Sequence, residues 1–407
     1  MQCRYCNLLL EHTFADLGRA PLSNAYLVTE DLSKPEKHYP LNIKVCDRCW
    51  LVQTEDYVSR EEIFDANYAY FSSVSSSWLK HAEDYFIKIC KKLNLNEQCY
   101  VIEIASNDGY LLKHFVSQGI HCVGIEPTDS TATAAERLGI PVIRQFFDSK
   151  LAEELTCNHQ QADLIIGNNV YAHVPDVNAF TLGLKMALKP AGTVTLEFSH
   201  LLNLIEYCQF DTIYHEHYSY LSLYTVQKIF TNAGLRIFDV DILSTHGGSL
   251  RIYGCHENDP RNTSKAVTDV IEHEEQKGLR SLATYQHYQA RIQVIKKEFI
   301  AFLREQKQQN KLVVAYGAAA KGNMLLNFAG ITADLIPWVC DNAQSKQGKY
   351  LPGSRIPIVH PQILSSERPD FVIIMPWNIA DEIRQQHAYI RAWGGRFVVA
   401  MPGLSIL

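Results

Sequence analysis

Strand-sized apolar runs alternate with helical segments along the middle of this 407-residue chain, and this alternation constrains the fold more than any other feature. The first series begins at residues 100–105 and continues to Phe198. A second series, over residues 312–401, has the same plan. Alternating strands and helices form a mainly parallel sheet with helices on both faces. The sequence therefore predicts an α/β protein with two Rossmann-like domains, one central and one at the carboxyl end.

Four of the eleven cysteines form two Cys-x-x-Cys pairs near the amino end, Cys3 with Cys6 and Cys46 with Cys49. The stretch that holds them has too little periodic apolar sequence to form a core of its own. A tetrahedral site of four thiolates would fold such a segment, because metal-binding free energy becomes folding free energy. We therefore predict a structural zinc module; unrelated free thiols or a redox pair are the alternatives.

Three domains follow from these patterns: a zinc-binding module at residues 1–66, a central domain at 67–242 and a carboxyl-terminal α/β domain at 243–407. The net charge is −6, from 38 basic and 44 acidic residues, with no dense basic block. This balance argues against a nucleic acid or an acidic membrane as partner. Because no apolar run resembles a signal peptide or a membrane span, we expect a cytoplasmic protein.

The segment Glu103-Ile-Ala-Ser-Asn-Asp-Gly109 follows the first strand, at the edge where an open α/β sheet binds its ligand. A dinucleotide fingerprint would be Gly-x-Gly-x-x-Gly, but an acid and polar residues replace the phosphate-binding glycines here. An acid suits the cationic sulfonium of S-adenosylmethionine better than a pyrophosphate. Glu126, after the second strand, is placed to accept both ribose hydroxyls of a nucleoside. A degenerate nucleotide-binding domain is the alternative. The predicted cofactor residues are Glu103, Ala105, Asn107, Gly109, Glu126, Asn168 and Asn169.

The segment Tyr214-His-Glu-His-Tyr218 places two imidazoles, one carboxylate and two phenols in five residues. In an extended chain, Tyr214, Glu216 and Tyr218 would share one face and the two histidines the other, whereas a turn would mix them. We favour general acid/base chemistry, because histidine titrates near neutrality and a neighbouring carboxylate or phenol can orient it. A polar patch on a surface loop and a metal site are the alternatives; His-x-His alone lacks a third ligand.

Two turns in the second half of the chain are candidate substrate contacts. Tyr316-Gly-Ala-Ala-Ala-Lys321 follows a strand and should open a helix whose amide groups can receive a phosphate, with Lys321 adding a positive charge. A purely structural turn fits the same pattern. His246-Gly247-Gly248 either lines a sugar pocket or joins two domains.

Several motifs in this order resemble the C-methyltransferases that build branched deoxysugars on nucleotide carriers. The loop at Glu103 is similar to that family's Glu-Ile-x-x-Asn-Asp-Gly cofactor loop. The resemblance extends over nearly the whole chain and includes these further segments: the paired cysteines, Tyr68-Ala-Tyr70-Phe-Ser-Ser, Asn168-Asn169-Val-Tyr-Ala-His173, Phe210-Asp-Thr-Ile-Tyr214-His-Glu216-His217, His246-Gly247-Gly248 and Tyr316-Gly-Ala-Ala-Ala-Lys321.

The resemblance implies a zinc site of four cysteines, S-adenosylmethionine in the central domain and a nucleotide-linked 4-keto sugar held with help from the carboxyl-terminal domain. It implies that His217 is the base, that Tyr214 and Glu216 arrange the pocket, and that His173 lies near the sugar. One tyrosine of Tyr68 and Tyr70 is expected there too. The substrate contacts implied are those of His246, Gly247, Tyr316 and Lys321. A monomer is expected.

Three hypotheses about function remain open on the sequence. The first is methyl transfer to a ring carbon, C-3, beside the 4-keto group of the sugar. The second keeps S-adenosylmethionine but moves the methyl group to oxygen or nitrogen of a sugar or small natural product. The third is a zinc-containing protein that binds a nucleotide sugar without catalysis.

Overall fold

A computed structural model describes residues 1–63 and 71–407 of the chain. The predicted site residues Tyr68 and Tyr70 lie outside the described residues. The amino-terminal elements are β1 (His12–Ala20), β2 (Tyr39–Val45), β3 (Val52–Thr54) and α1 (Arg60–Ile63). The three strands pair antiparallel in chain order.

The central part forms the sheet that positions the predicted cofactor loop. Its elements are α2 (Ser76–Leu93), β4 (Tyr100–Ile104), α3 (Leu112–Ser117), β5 (His121–Ile125), α4 (Asp129–Glu136), β6 (Val142–Ile143), α5 (Ser149–Cys157), β7 (Ala162–Asn168), α6 (Val177–Ala187), β8 (Leu188–Ser199), α7 (Leu201–Glu206), β9 (Ser219–Tyr220), α8 (Leu223–Asn232), β10 (Leu235–Leu243) and β11 (Ser249–His256).

The central sheet has the strand order β10-β11-β8-β7-β4-β5-β6. β11 runs antiparallel to both of its neighbours, and the other pairs are parallel. The expected parallel-rich sheet is therefore confirmed. β11 extends the sheet to His256, so the domain boundary expected at residue 242 separates two strands that pair within one sheet. Because β4 and β7 are parallel neighbours, their carboxyl ends lie side by side.

The carboxyl-terminal part contains a second parallel-rich sheet, as the sequence predicts. Its elements are α9 (Lys265–Gln276), α10 (Leu282–Gln286), α11 (Tyr288–Gln308), β12 (Val313–Tyr316), α12 (Ala320–Ala329), β13 (Val339–Cys340), β14 (Ile358–Val359), α13 (Ile363–Glu367), β15 (Phe371–Ile374), α14 (Ala380–Gln386), β16 (Arg396–Val399) and β17 (Ser405–Ile406). The strand order is β14-β13-β12-β15-β16-β17, in which only the pair β16–β17 is antiparallel.

The amino-terminal sheet is joined to the rest of the chain by pairing and by packing. β9 adds antiparallel to β3 and completes the order β1-β2-β3-β9. Phe14 of β1 stacks on Tyr288 of α11 at a ring-centroid distance of 4.3 Å, inside a core shared with the carboxyl-terminal sheet. The module thus buries its apolar residues against its neighbours, in agreement with the expectation that it has no sufficient core of its own. Among the described helices, none has the length and apolar composition to cross a membrane.

Candidate active site

The four paired cysteines converge on one point of the amino-terminal part. Their Sγ atoms all lie within 4.8 Å of one another, with Cys3 3.5 Å from Cys49 and Cys6 3.6 Å from Cys46. Sulfur ligands of tetrahedral zinc, bound at about 2.3 Å, lie about 3.8 Å apart, so this cluster fits the ion. Zinc binds cysteine as the thiolate, so metal binding at this cluster would displace the thiol protons.

The loop after β4 has a backbone conformation that is typical of ligand sites. Ala105 and Asn107 adopt left-handed conformations, with φ of 56° and 50°, and Gly109 follows with φ of 78°. A Cβ atom on Gly109 would lie 2.4 Å from Cδ1 of Ile140, so only glycine fits. Left-handed residues other than glycine cost roughly 1 kcal/mol or more each and persist where the surrounding structure holds them, often at binding sites.

Buried polar atoms around this loop are suited to a polar ligand. Oε2 of Glu103, Oγ of Ser106 and Oδ1 of Asp108 are buried and have no hydrogen-bond partner among the described residues. Oδ1 of Asn168, at the end of β7, is in the same state, and its Nδ2 lies 3.5 Å from the Tyr110 hydroxyl. An unsatisfied buried polar atom costs about 1–3 kcal/mol, which a ligand with several donors would recover. The ammonium and ribose hydroxyls of S-adenosylmethionine are such donors.

Two further groups fix the shape of the cofactor loop. Glu126, expected at the ribose, accepts hydrogen bonds from the backbone N–H of Asn107 at 3.0 Å and of Thr128 at 2.9 Å. Backbone N–H groups of Ser72 and Ser73 donate to the side chains of Asn107 and Asp108 at 2.9 and 3.0 Å. The two serine contacts have no signal in the sequence, because every residue type except proline has the same backbone donor.

The segment that contains His217 forms a turn, in which the backbone N–H of His217 donates to the carbonyl of Tyr214 at 2.9 Å. The alternation expected of an extended chain is therefore absent. The rings of Tyr214 and His217 lie together, with centroids 4.1 Å apart, whereas Nε2 of His215 donates to the carbonyl oxygen of Pro40 at 3.2 Å. Since that oxygen only accepts, His215 Nε2 carries the proton.

His217 has one tautomer fixed by the backbone. Its Nδ1 lies 2.7 Å from the carbonyl oxygen of Thr212, which only accepts, so Nδ1 carries the proton and Nε2 of the neutral ring holds the lone pair. The ring of His173 lies 4.6 Å away. Burial, followed by the neighbouring His173, lowers the pKa of His217 well below its usual range. The imidazole is therefore neutral at pH 7 and able to accept a proton at Nε2.

Residues 168–173 connect the cofactor loop to this imidazole. Asn168 reaches Tyr110 of the loop, and Asn169, left-handed with φ of 53°, donates from Nδ2 to Nε2 of His246 at 3.1 Å. A short 3-10 turn follows and ends at His173, whose ring contacts that of His217. Residues 168–173 therefore contact the cofactor loop at one end and the histidine cluster at the other. Burial lowers the pKa of both His173 and His246 to about 4.

A buried network that the sequence did not predict supports the turn at His246. The carboxylate of Glu197, near the end of β8, accepts from Thr245 Oγ1 at 2.8 Å and pairs with Arg251 and with Nε2 of His81. Gly247 approaches Trp377 so closely that a Cβ atom would lie 2.4 Å from its ring, at a φ of 88°. The turn therefore lies against the carboxyl-terminal part.

The carboxyl-terminal part contributes Lys321 to the same region. Lys321 is in the first turn of α12, and its Nζ lies 3.4 Å from the carbonyl oxygen of His246 and 5.0 Å from the ring centre of Trp377. Trp377 in turn donates from Nε1 to Oδ2 of the buried Asp211 at 2.6 Å. Tyr316, also expected at the substrate, has its hydroxyl 2.9 Å from Asn342 Nδ2. Trp377 follows strand β15, and the strand-end position was the signal that sequence reasoning overlooked.

Comparison with known proteins shows the family to which the chain belongs. Family models match a zinc binding domain at residues 3–64, a methyltransferase domain at 78–240 and a C-methyltransferase C-terminal domain at 244–402. The C-methyltransferase NovU of Streptomyces niveus is 31% identical over 401 residues, covering 98% of this chain and 95% of that protein.

Solved structures with local similarity include two methyltransferases. Magnesium protoporphyrin IX methyltransferase of Synechocystis PCC 6803 with bound SAH is 14% identical, covering 44% of this chain and 83% of that chain at a TM-score of 0.36. An S-adenosylmethionine-dependent methyltransferase of Clostridium acetobutylicum ATCC 824 is 13% identical, covering 44% of this chain and 92% of that chain at a TM-score of 0.36.

The matches to NovU and to the family models extend over all three parts of the chain in one order. The cysteine cluster fits zinc, and the polar loop after β4 fits S-adenosylmethionine. The chain therefore belongs to the C-methyltransferase family and is a S-adenosylmethionine-dependent enzyme with an amino-terminal zinc-binding module.

Proposed function

We propose that this C-methyltransferase acts on a nucleotide-linked 4-keto deoxysugar and methylates C-3 after His217 removes a proton from that carbon. The observation that carries this proposal is the hydrogen bond from His217 Nδ1 to the carbonyl of Thr212. It leaves Nε2 as the basic atom of a buried, neutral imidazole, which is the state a general base requires.

The ketone is the chemical reason for the proposed substrate. An unactivated C–H bond is far too weakly acidic for an imidazole, whereas a C–H bond next to a carbonyl gives an enolate in which oxygen carries the charge. S-adenosylmethionine, when bound, supplies an electrophilic methyl group. Because the family transfers methyl to carbon, an adjacent carbonyl supplies the acidity that this base needs.

The surrounding residues have proposed roles in the same reaction. Tyr214 and His173, whose rings contact His217, orient the imidazole and the sugar, and Glu216 arranges the pocket. One of Tyr68 and Tyr70 is proposed to approach the sugar as well. Glu103, Ala105, Asn107, Gly109, Glu126, Asn168 and Asn169 hold the cofactor. His246, Gly247, Tyr316 and Lys321 bind the substrate.

The carrier nucleotide is proposed to lie on the carboxyl-terminal part. The turn at Gly317 precedes α12, whose first amide groups can receive a diphosphate. We further propose that the enzyme works as a monomer, in the cytoplasm, without a nucleic acid partner.

The test is mass spectrometry of the purified protein incubated with S-adenosylmethionine and a panel of nucleotide-linked 4-keto sugars. One added methyl group on a ring carbon supports the proposal, and no methylation of any 4-keto sugar rejects it. His217→Ala should bind S-adenosylmethionine normally but lose turnover. His215→Asn is the matched control, because His215 faces Pro40 on the other side of the turn. Unchanged turnover in His217→Ala would remove His217 from the reaction.

A further inference from the structure

Lys321 is a partly buried cation whose hydrogen bonds are long. Its Nζ lies 3.4 Å from the carbonyl oxygen of His246 and 3.5 Å from Oδ1 of Asn378, and it rests over the ring of Trp377. Within the described part of the chain these contacts include no anion. Burial lowers the pKa of the Lys321 ammonium, and the charge of Asp211 opposes that shift. Removing a cation from water without an anionic partner is costly, so the site is suited to a negative charge on a ligand.

A short path of contacts connects this ammonium to the imidazole of His217. Lys321 packs on Trp377, and Trp377 donates to Asp211 at 2.6 Å. The residue after Asp211 is Thr212, whose carbonyl holds Nδ1 of His217 at 2.7 Å. The charge of Lys321 is also among the causes of the lowered pKa of His217 and of His246. The ammonium therefore lies within electrostatic range of the proposed base.

The proposed reaction needs a positive charge close to the ketone and to His217. A base with a lowered pKa is a weak base, so its removal of a carbon-bound proton depends on strong stabilisation of the enolate. We infer that Lys321 is a catalytic residue whose ammonium contacts the 4-keto oxygen of the sugar and stabilises the enolate formed when His217 takes the proton. This inference rests on the proposed function, and it assigns Lys321 to the reacting end of the substrate rather than to the carrier diphosphate.

The proposed reaction has two steps, deprotonation of C-3 and methyl transfer to the same carbon. The C-3–H bond breaks, the proton passes to Nε2 of His217, and the electron pair moves into the enolate, whose oxygen becomes negative beside Lys321. The pair then forms the new bond to the methyl carbon while the bond from that carbon to sulfur breaks, leaving S-adenosylhomocysteine. The carbonyl is restored, and His217 returns its proton to solvent.

The experiment separates contact with the carbonyl from contact with the diphosphate. Proton exchange at C-3 is followed by NMR in deuterated water, with S-adenosylhomocysteine in place of the methyl donor. Binding of the nucleoside diphosphate carrier, without its sugar, is measured by calorimetry. Lys321→Met should slow exchange by about 100-fold or more, the usual effect of removing one oxyanion-stabilising donor, while the carrier's Kd changes by less than about threefold. Lys321→Arg, which keeps the charge, should recover part of the exchange.

Lys296→Met is the matched control, because Lys296 is also a lysine packed on an aromatic ring of α12, that of Phe328 at 4.5 Å. The Lys296→Met enzyme should catalyse proton exchange at C-3 at the wild-type rate. Normal exchange in a folded Lys321→Met, or a Kd for the carrier raised tenfold or more, would overturn the inference. If Lys321→Met does not fold, the same two measurements on Lys321→Gln decide. Failure of the wild-type enzyme to exchange or methylate any 4-keto sugar would instead reject the proposed function.

Discussion

Asn24 donates a hydrogen bond from Nδ2 to Oε1 of Glu216 over 2.6 Å. Asn24 belongs to the zinc-binding part of the chain, whereas Glu216 is in the turn that contains His217. A second contact joins the same two parts, because Thr54 Oγ1 donates to the carbonyl of His217 at 3.1 Å. Tyr26 of the zinc-binding part also donates to the carbonyl of Ala318, in the carboxyl-terminal part, at 2.6 Å. The zinc module is therefore a wall of the candidate site and not only a separate folding unit.

Replacing Asn24 tests this relationship. Asn24→Ala removes the donor to a buried carboxylate, a hydrogen bond worth about 1.5–3 kcal/mol, and frees Glu216 to reorient. We expect kcat to fall by roughly 10-fold or more, whereas the Kd of S-adenosylmethionine stays near the wild-type value. Asn42→Ala is the control, because Asn42 is in the same module and its Oδ1 has no hydrogen-bond partner among the described residues. Equal kcat values for both variants would show that the contact does not serve catalysis.

Removing zinc should act on stability and on activity together. The purified protein is expected to hold about one zinc ion per chain, and Cys49→Ser or a strong chelator should release it. Because β9 pairs with β3, loss of the module's structure should also disturb the turn at His217. Metal analysis, thermal unfolding and methyl transfer measured on one sample check this. Cys157→Ser, an exposed cysteine outside the cluster, should keep zinc, melting temperature and turnover.

Full turnover in a metal-free, Cys49→Ser protein would contradict the link between the module and the site. A lower melting temperature with unchanged turnover of the folded fraction would contradict it as well, because zinc would then serve folding alone.

Acid should destabilise the protein through two buried histidines. Burial lowers the pKa of His173 and His246 to about 4, whereas a histidine in the unfolded chain titrates near 6.5. Between these values the unfolded chain binds protons that the folded chain does not, so the stabilising contribution is present above about pH 6.5 and is lost as the pH falls towards 4. The free energy of unfolding should decrease by about 3 kcal/mol per histidine at pH 4.

Urea unfolding at several pH values measures this loss. His246→Asn should give a shallower dependence of the free energy of unfolding on pH, since one proton-linked group is gone. His121→Asn, an exposed histidine on β5, should leave the slope unchanged. The same dependence on pH in His246→Asn and in the wild type between pH 6.5 and 4 would mean that His246 does not resist protonation.

Much of the fold could be predicted because it depends on patterns of residues that are close together in the sequence. Runs of apolar residues marked the strands of both sheets, and two Cys-x-x-Cys pairs marked the cluster that the structure closes. The charged, Gln-rich stretch at residues 262–309 has the pattern of one long helix, because Gly278 is its only glycine and it contains no proline. In the structure it is divided into α9, α10 and α11, and Gly278, with φ of 78°, lies at the first break. A glycine in a helical pattern is tolerated or terminates the helix depending on tertiary packing, which the pattern does not contain.

The sequence predicts candidate residues of the site one by one but not their arrangement. The turn at Tyr214 and His217 replaced the extended alternative because Thr212 and Tyr214 supply backbone acceptors that no side-chain pattern reveals. Asn24 was missed for a related reason. It reaches the site from a distant part of the chain, and contacts between distant segments leave no periodic signal in a single sequence.

Binding of S-adenosylmethionine should release a proton from Glu103. Burial raises the pKa of this carboxyl well above its usual value, and its Oε2 has no hydrogen-bond partner within the described residues, so Glu103 holds its proton more tightly than an exposed glutamate does. A cationic ligand placed beside it favours the ionised form, and the proton must leave as the ligand binds. The binding heat measured by calorimetry should therefore differ between phosphate and Tris buffers at the same pH, because the two buffers absorb a proton with different enthalpies.

Glu103→Gln should remove most of that buffer dependence. It should also raise the Kd of S-adenosylmethionine by about 10-fold, because the carboxylate that forms opposite the cation is gone. Glu126 is the second buried carboxyl with a raised pKa at this loop, so Glu126→Gln shows whether it supplies any remaining proton. Glu97→Gln, an exposed acid beyond α2, is the control and should bind as the wild type does. Identical heats for the wild-type protein in both buffers would show that Glu103 is already ionised before the cofactor arrives, and the acid would then act as a preformed counter-charge.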